Sequence, residues 1–326
     1  MVKRNSDREE RRRRGLHVLT AALLSLASLS FSCASFARSD AFASGRSLGV
    51  VQSDSLSELS GIAASRRNPG VLWVHNDSGE APRIYAINEK AQLLGECSIR
   101  GANNRDWEDI AAGPGPDPSQ SYLYIGDIGD NAAKYPEVVV YRVPEPQVDA
   151  ATPFASTTVG PADAIRLTYP DGPRDAETLI VDPLTRDIYI ISKRELVPKV
   201  YRAAYPQSLT QQTRLEQVAV LPFASFPTGG DVSPDGRRVI VRGMFSAAIW
   251  DRPLGEGPPS AEHRRGDPEP LWHAFSGKPK AIPVAGEPQG EAVCFDRKGE
   301  GYFTISEGKH PTLYYFAPAE PNAPSR

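Results

Sequence analysis

Acidic side chains recur at the start of short strand-like segments in this chain. Five of them are spaced 50 to 69 residues apart, and they are Glu58, Glu108, Glu177, Asp231 and Glu291. Carboxylates brought together repel one another unless a cation or a proton lies among them. Ca²⁺ takes six to eight hard oxygen ligands. If the segments meet, the acids predict a calcium site. The alternative is that each acid accepts hydrogen bonds from backbone N–H groups of its own loop.

A second set of polar side chains follows the next strand-like segment of each repeat. The oxygen donors in these loops are Asn76, Asp77, Asp127, Asp130 and Asn131. The cationic side chains are Lys193, Arg194, Arg242 and Lys309, which suit an anionic group such as phosphate or carboxylate. Because these loops share one position in the repeat, we expect them on one face of the molecule. Any single loop is equally explained as a turn, since Asn, Asp and Gly are turn formers.

Together the two sets predict a site in which each residue has a role. The predicted metal ligands are Glu58, Asp77, Glu108, Asp130 and Asn131. Glu177 or Glu291 would act as the base, and Arg242 or Lys193 would stabilise the developing negative charge. The predicted substrate-binding residues are Asn76, Arg105, Trp107, Asp127, Arg194, Asp231 and Glu307. For Trp107 the alternative is a hydrophobic anchor inside the fold.

Several other kinds of site are excluded by the pattern. The histidines after the N-terminal segment are His75, His263, His273 and His310. They form no H-E-x-x-H motif and no close pair, which argues against a zinc hydrolase. Residues 45–49 match G-x-S-x-G, but no strand precedes them and no helix follows, so they are not a nucleophile elbow. No P-loop or dinucleotide-binding fingerprint is present. A net charge of −3 argues against nucleic acid as a partner.

The elements that carry these residues form an internal repeat. Gly and Pro together make 57 of 326 residues, which favours many turns and short strands. Period-2 alternation and enrichment in Val, Ile and Tyr support strands, and no sustained helical period occurs. The first strands of five repeats are predicted at residues 57–65, 106–113, 176–182, 230–236 and 290–296. Fourth strands are predicted at residues 93–99, 164–169, 216–221 and 270–275.

This repeat predicts an all-β fold, a β-propeller of four-stranded blades. Five blades fit the spacing best, with six as the alternative. The fifth repeat lacks a fourth strand, which residues 47–52 can supply, so the N- and C-terminal strands would close one blade together. A two-sheet sandwich is the structural alternative, but it does not need a repeated acid.

The N-terminal 43 residues have the layout of an export signal. A basic segment with Arg11 to Arg14 precedes an apolar stretch from Val18 to about Phe31, followed by small-residue cleavage options ending at residue 37 or 43. Arg13-Arg14 suggests the twin-arginine type, with a merely basic segment as the alternative. Cys33 is a candidate lipidation site, although the residues before it match a lipobox poorly. We expect a periplasmic or extracellular protein without a transmembrane anchor after cleavage.

The remainder of the chain is predicted to be one domain at residues 44–316, followed by a Pro-rich disordered tail at residues 317–326. Residues 1–43 carry eight Lys or Arg and four acids, which leaves a net charge of −7 after cleavage. An acidic body favours cations over polyanions. Cys97 and Cys294 are either a disulfide or two buried thiols, and the sequence leaves both open.

Four segments carry a resemblance to a family of exported bacterial propellers of uncharacterised function. They are residues 57–65 (SELSGIAAS), 73–79 (WVHNDSG), 107–111 (WEDIA) and 124–131 (YIGDIGDN). The turn at residues 233–236 (SPDG) resembles that of TolB-type propellers. More distantly, the acids with Asn and Asp loops are similar to calcium-dependent propeller lactonases and esterases, and to phytase-like propellers. The chain departs from the former in blade number and from the latter in having fewer basic residues.

Two functions follow as expectations. The first is an exported calcium-binding hydrolase of small esters, lactones or phosphoesters. The second is a non-catalytic propeller that binds a protein or glycan partner in the cell envelope, because a fold does not fix a function. In either case we expect a monomer.

Overall fold

The computed structural model describes residues 37–39, 41–222, 226–255 and 266–320. Most of the predicted export signal, Cys33 and the end of the C-terminal tail lie outside the described residues. The described part is built from strands and one short 3₁₀ helix, η1 (Leu271–Ser276). Within it, no helix has the length and apolar character needed to cross a membrane.

The strands follow one another along the chain with short connections. In order they are β1 (Ala37–Arg38), β2 (Arg46–Val50), β3 (Leu59–Ala64), β4 (Val71–Asn76), β5 (Arg83–Asn88), β6 (Leu93–Ile99), β7 (Trp107–Pro114), β8 (Ser121–Asp127), β9 (Val138–Pro144), β10 (Thr157–Val159), β11 (Asp163–Thr168), β12 (Ala176–Val181), β13 (Ile188–Ser192), β14 (Lys199–Ala203), β15 (Thr213–Arg214), β16 (Glu216–Val220), β17 (Pro227–Val232), β18 (Arg238–Gly243), β19 (Ser246–Asp251), β20 (Lys280–Ile282), β21 (Gly290–Phe295), β22 (Tyr302–Ser306) and β23 (Thr312–Phe316).

These strands form five four-stranded antiparallel blades, so the predicted five-bladed propeller is confirmed. From the channel outward, blade 1 is β3-β4-β5-β6, blade 2 is β7-β8-β9-β11, blade 3 is β12-β13-β14-β16, blade 4 is β17-β18-β19-β20 and blade 5 is β21-β22-β23-β2. The innermost strands contact one another around the ring, from β3 through β7, β12, β17 and β21 back to β3. The channel is therefore bounded by one strand of each blade.

The predicted closure by both ends of the chain is also confirmed. Strand β2 pairs antiparallel with β23, from Arg46 opposite Tyr315 to Val50 opposite Thr312. The fourth strand of blade 5 thus comes from the opposite end of the sequence, which removes an exposed sheet edge.

The hydrophobic core is divided among the five junctions between neighbouring blades. Trp73 and Trp107 pack between blades 1 and 2, and Trp250 packs between blades 3 and 4. The inner and second strands are buried on both faces, because each blade is covered by two others. Cys97 and Cys294 are both buried as free thiols, which settles the alternative left open by the sequence.

One predicted strand is wrong. Residues 270–275 were predicted as the fourth strand of blade 4, but residues 271–276 form η1 and the strand is β20. Leu271, Ala274 and Phe275 are buried against blades 3 and 4. Their spacing of three and four residues places them on one face of a helical turn, whereas a strand would turn alternate residues outward.

Residues 37–39 and 41–43 form a strap that joins blade 4 to blade 5. Strand β1 pairs in parallel with β20 at the outer edge of blade 4. Phe42 is buried with its ring edge-on to Tyr302, at 4.9 Å between ring centroids. Ala43 N–H donates to the carbonyl of Ala317 at 2.9 Å. Paired backbone thus extends beyond the predicted domain bounds of residues 44 and 316, which themselves remain predictions.

Candidate functional site

A β-bulge interrupts the innermost strand of every blade at the same register position. The bulged residues are Ser60, Glu108, Glu177, Thr228 and Glu291. A bulge adds one unpaired residue and redirects its side chain, a feature often found beside active sites. In three blades the β-bulge therefore directs a glutamate side chain to the channel mouth.

A second ring of residues lies two positions before each bulge. It consists of Glu58, Asp106, Asp175, Phe226 and Gln289 in blades 1 to 5. In four blades the carbonyl of this residue accepts a hydrogen bond from the loop after the second strand. The donors are the N–H groups of Asp77 (2.8 Å), Gly129 (3.1 Å), Lys193 (3.0 Å) and Glu307 (3.0 Å). This shared bond brings the two sets of polar residues seen in the sequence to one face.

Both rings open into a pocket of about 230 Å³ at the channel mouth. Its lining is Glu58, Leu59, Ser60, Asp77, Glu108, Asn131, Glu177, Lys193, Arg194, Gln289, Glu291 and Glu307. Nine residues predicted from the sequence are therefore brought together. The remaining predicted residues lie elsewhere, as described below.

One group of carboxylates at the pocket forms no ion pair within 4 Å among the described residues. Asp77, Asp106 and Glu108 each place an oxygen within 4.8 Å of the others. The Glu108 side chain is 5 % exposed, and the described residues offer it neither a hydrogen-bond donor nor an ion-pair partner. Asp77 Oδ1 is buried and likewise lacks a hydrogen-bond partner there. We call these three residues the acidic triad.

The loop of blade 2 approaches the acidic triad through a glycine. A Cβ atom on Gly129 would lie 2.2 Å from Glu108 Oε1 and 2.5 Å from Asp106 Oδ2. Only a residue without a side chain leaves the space beside these two oxygens open. The triad is thus partly enclosed, with Glu108 buried and Asp77 and Asp106 half-buried.

A neighbouring group of carboxylates already has internal cations. Asp175 and Glu177 lie with Glu108 within the same 4.8 Å limit. Lys193 forms an ion pair with Glu177, and Arg194 Nε lies 2.6 Å from Asp175 Oδ2. Asp130 N–H also donates to Asp175 Oδ1 at 2.9 Å. These contacts offset the charge of Asp175 and Glu177, whereas the acidic triad has only the more distant charges of Arg105 and Lys193.

Burial in the pocket disfavours the charged forms of its acids. Burial, and then the charge of Glu177, raise the pKa of Glu108 well above its usual value. Burial and the charge of Asp106 raise the pKa of Asp77 to about 6. Burial raises the pKa of Glu291 to about 7, although the charge of Lys193 opposes the shift. A group of mutually repelling acids is the electrostatic setting in which a bound cation is stabilising.

Arg242 is placed away from the pocket, contrary to the predicted role. Its side chain is fully buried and forms an ion pair with Glu287 at 2.5 Å. Thr304 Oγ1 donates to the same carboxylate. An enclosed guanidinium that is held by Glu287 cannot contact a substrate at the mouth. Arg242 therefore joins blades 4 and 5 as part of the core.

Asp231 also departs from the prediction, because it lies three residues beyond the bulge of its blade. Its oxygens accept hydrogen bonds from the N–H groups of Val232 (2.8 Å) and Phe295 (2.9 Å). Arg66 lies 3.8 Å away. For this acid the local-hydrogen-bond alternative is correct, and the equivalent of the other bulged residues in blade 4 is Thr228.

Three other predicted residues hold the site loops in place rather than line the pocket. Asp127 Oδ1 accepts the N–H groups of Arg105 (3.2 Å) and Asp106 (2.8 Å). Asn76 Nδ2 donates to the Ser55 carbonyl at 2.7 Å. The Arg105 guanidinium lies over the Tyr135 ring, 4.0 Å from its centroid. These contacts fix the loops that carry Asp77 and Asp106.

Trp107 and Asp130 are buried structural residues. Trp107 is fully buried, and its Nε1–H donates to the Asn103 carbonyl at 2.8 Å. The alternative of a hydrophobic anchor is therefore correct for this tryptophan. Asp130 Oδ2 accepts the N–H of Tyr135 at 2.7 Å.

Sequence reasoning missed Asp106 and Asp175 as site residues. Both stand two positions before a bulged glutamate, in Asp106-Trp107-Glu108 and Asp175-Ala176-Glu177. In a regular strand, residues two apart share one face. The D-x-E pattern at the start of two repeats is the sequence feature that could have identified these two residues.

Comparisons with known proteins add little to this description. No protein-family model and no curated protein matches the chain. Among similar solved structures, hydrazine synthase of Kuenenia stuttgartiensis is 10 % identical with a TM-score of 0.38, covering 76 % of this chain and 64 % of that one. A luciferin-regenerating enzyme is 10 % identical with a TM-score of 0.39, covering 81 % and 92 %. A putative oxidoreductase (glucose dehydrogenase) of Thermus thermophilus is 11 % identical with a TM-score of 0.43, covering 84 % and 99 %. This chain therefore spans less than two thirds of the hydrazine synthase chain, and its propeller fold rests on its own strand pairing.

Proposed function

We propose that the channel mouth binds a divalent cation, Ca²⁺ by its ligand chemistry, between Asp77, Asp106 and Glu108. The observation that carries this proposal is the Glu108 carboxylate, which lines the pocket, is 5 % exposed and has neither a hydrogen-bond donor nor an ion pair among the described residues, so that only the more distant positive charge of Lys193 acts on it. A buried charged group without a partner is costly unless a cation or a proton accompanies it. The donors are all hard oxygens, which Ca²⁺ prefers.

Other oxygen atoms of the pocket are available to complete such a site. Glu58 lines the same pocket, as the sequence suggested, whereas Asn131 Oδ1 already accepts a hydrogen bond from Arg194. Asp130 does not line this pocket, and its backbone N–H donates to Asp175, which lies beside the pocket. Ca²⁺ accepts a variable number of ligands and keeps bound waters, so three close carboxylates are a sufficient protein contribution.

We further propose that this site hydrolyses a small ester, lactone or phosphoester. A bound divalent cation supplies positive charge that polarises a substrate oxygen and makes a neighbouring water more acidic. Glu291 is the better candidate base, because Lys193 already holds Glu177 in an ion pair. Gln289 Nε2 donates to Glu291 Oε1 at 3.1 Å and orients it. Lys193 places its charge at the same pocket, where it stabilises developing negative charge.

Calcium binding is tested by calorimetric titration of the protein with CaCl₂. We expect a Kd below about 1 mM, as for extracellular calcium modules, and a rise in melting temperature that a chelator reverses. Glu108→Gln should abolish both effects, whereas Glu89→Gln, at an exposed turn, should leave them unchanged. Equal calcium affinity in wild type and Glu108→Gln would overturn the metal site.

Hydrolysis is tested with a panel of esters, lactones and phosphoesters, with calcium and with chelator. Glu291→Gln should lower turnover at least about 100-fold, the usual effect of removing a general base. Glu307→Gln, in the same pocket, should change it less than tenfold. Calcium binding without turnover of any substrate would remove the hydrolase assignment. The propeller would then remain as a calcium-stabilised platform for an envelope protein or glycan.

We also propose that the protein is exported. The support is the basic segment, short apolar stretch and small-residue cleavage options within residues 1–43. Fractionation of cells that express the full chain should place it outside the cytoplasm, and replacing Arg13 and Arg14 by Lys tests the twin-arginine route. Retention of the wild-type chain in the cytoplasm would contradict export.

A further inference from the structure

Blade 4 differs from the other four blades at the channel mouth. In the ring two positions before the bulge it carries Phe226, where the other blades carry acidic residues or glutamine. After its second strand comes Met244, where blades 1, 3 and 5 carry Asp77, Lys193 and Glu307. In blade 2 the corresponding residue is Ile128, which is fully buried. Blade 4 is therefore the blade in which both positions carry apolar residues.

These apolar side chains are exposed to solvent. Phe226 is 60 % exposed and Phe245 is 71 % exposed. We call Phe226, Met244 and Phe245 the apolar wall. On the adjacent blade 3, Leu196 is 96 % exposed in the loop that follows Lys193 and Arg194. Phe226 precedes the first strand of blade 4, and Phe245 lies between its second and third strands. Since neither ring is buried, packing within the fold does not account for them.

The backbone that carries the apolar wall adjoins the candidate site at Met244. The Met244 carbonyl lies 2.6 Å from the position that a Cβ atom on Gly290 would occupy. Gly290 stands between Gln289 and Glu291, which both line the pocket. A small molecule with one end in the pocket can therefore lay its other end on the apolar wall.

The charge of the pocket restricts the polar end of such a molecule. The lining holds six acidic side chains against Lys193 and Arg194. When a divalent cation is bound and its ligand Asp106 is counted with the six lining acids, all ionised, the formal charge is −3. An anionic end, such as a phosphate monoester or a carboxylate, would meet net repulsion in a confined site.

We propose that the mouth binds an uncharged or cationic small molecule that carries an apolar group, with that group on Phe226, Met244 and Phe245 and the polar end in the acidic pocket. This rests on the proposed function and narrows its substrates to esters or lactones with an apolar substituent. Phosphate monoesters are thereby excluded from the proposed substrates. The apolar wall supplies binding and orientation, and the acids supply selection by charge.

The test compares three probes on the calcium-loaded protein by calorimetric titration. Hexyltrimethylammonium carries both features, tetramethylammonium lacks the chain, and hexanoate carries the opposite charge. We expect hexyltrimethylammonium to bind at least about tenfold more tightly than either of the others, since burying a short chain against two rings is worth that factor. Hexanoate binding as tightly as hexyltrimethylammonium, or an absence of any gain from the chain, would overturn the proposal.

A variant pair locates the binding. Phe226→Ser with Phe245→Ser should remove about tenfold of the affinity for hexyltrimethylammonium and none for tetramethylammonium. Leu209→Ser is the control, because Leu209 is 49 % exposed in the connection from β14 to β16 at the far end of blade 3. Equal losses in both variants would contradict a site on the apolar wall. Circular dichroism confirms that each variant folds.

Calcium titrations of the same samples separate the two proposals. If calcium binds and the chain adds nothing, only the inference about the apolar wall fails. If hexyltrimethylammonium binds through the wall but Glu108→Gln does not alter calcium affinity, the metal site fails and the amphiphile site stands.

Discussion

At the scale of single residues, the site depends on where one extra residue is inserted in a strand. Glu108 stands at a bulge, so its side chain leaves the alternation of β7 and enters the mouth. The next residue, Asp109, turns into the fold, where its carboxylate accepts the N–H of Leu179 at 3.0 Å and that of Gly230 at 3.3 Å. Two adjacent acids thus have different roles: one faces the pocket, and the other joins blades 2, 3 and 4.

The cradle around the acidic triad can be tested through Gly129. In Gly129→Ala the new methyl group would meet Glu108 Oε1 and Asp106 Oδ2, so we expect calcium affinity to fall at least about tenfold. The control is Gly286→Ala, where a Cβ atom meets nothing within 4 Å. Calorimetric titration measures both variants, and unchanged affinity in Gly129→Ala would argue against a cation at this position.

The pH dependence of stability should contain a contribution from Asp231. Burial raises its pKa to about 6 in the folded protein, compared with 3.8 as its ordinary value. Between these values the unfolded chain releases a proton that the folded protein keeps. The free energy of unfolding therefore falls as pH rises from about 4 to 6, by about 3 kcal/mol from this group.

Asp231→Asn should remove that contribution. Urea unfolding at pH 4 and pH 7 gives the change in unfolding free energy for each protein, and the change should be about 3 kcal/mol smaller in the variant. The variant is expected to be less stable at both pH values, because an amide cannot accept both backbone hydrogen bonds. Identical changes in the two proteins would contradict the raised pKa.

At the scale of elements, the strands were predictable where both sheet faces are buried. The predicted innermost strands at residues 176–182 and 290–296 match β12 and β21 to within one residue. Residues 271–276 were mistaken for a strand, because a short apolar run does not distinguish a strand from a helical turn. The parallel strands β1, β10 and β15 at the outer edges were not predicted, since two or three residues carry little pattern.

The strap at residues 37–39 and 41–43 should contribute to stability. Phe42→Ala removes a ring that is 7 % exposed and packs against Tyr302, so we expect a loss of about 3 kcal/mol in unfolding free energy. Phe245→Ala is the matched control, because its ring is 71 % exposed and should change stability by less than about 0.5 kcal/mol. Denaturant unfolding of both variants measures the difference. Similar values for the two would mean that the strap is not part of the folded core.

At the scale of the whole molecule, stability depends on closing the ring. Five separate clusters pack between blades, and the junction of blade 5 with blade 1 includes residues near both ends of the described chain. Residues 41–43 of the strap add backbone contacts with residues 317–319, and strand β2 pairs with β23 to supply the fourth strand of the last blade. Opening this pair would expose the edge of β23 and weaken two junctions together.

A disulfide across this closure should stabilise the propeller. Val50 and Thr312 are directly opposite each other in the pairing of β2 with β23, at a separation typical of paired strands and suitable for a disulfide. The oxidised variant Val50→Cys with Thr312→Cys should gain about 3–5 kcal/mol over its own reduced form, because the closed loop is long. Thermal unfolding with and without reductant measures this gain. The absence of a difference would mean that the closure does not limit unfolding.

The sequence by itself determined the repeat, the number of blades, the strand closure and the face on which polar loops gather. These follow from hydrophobic periodicity and turn residues, which act locally and recur in each repeat. Only the tertiary structure decided which acids meet. Glu108 and Glu291 reach the pocket, whereas Asp231 does not, because a bulge shifts register by one residue and the sequence does not mark where it occurs. Burial, which turned Arg242 and Trp107 into core residues, is likewise a property of packing between blades far apart in the chain.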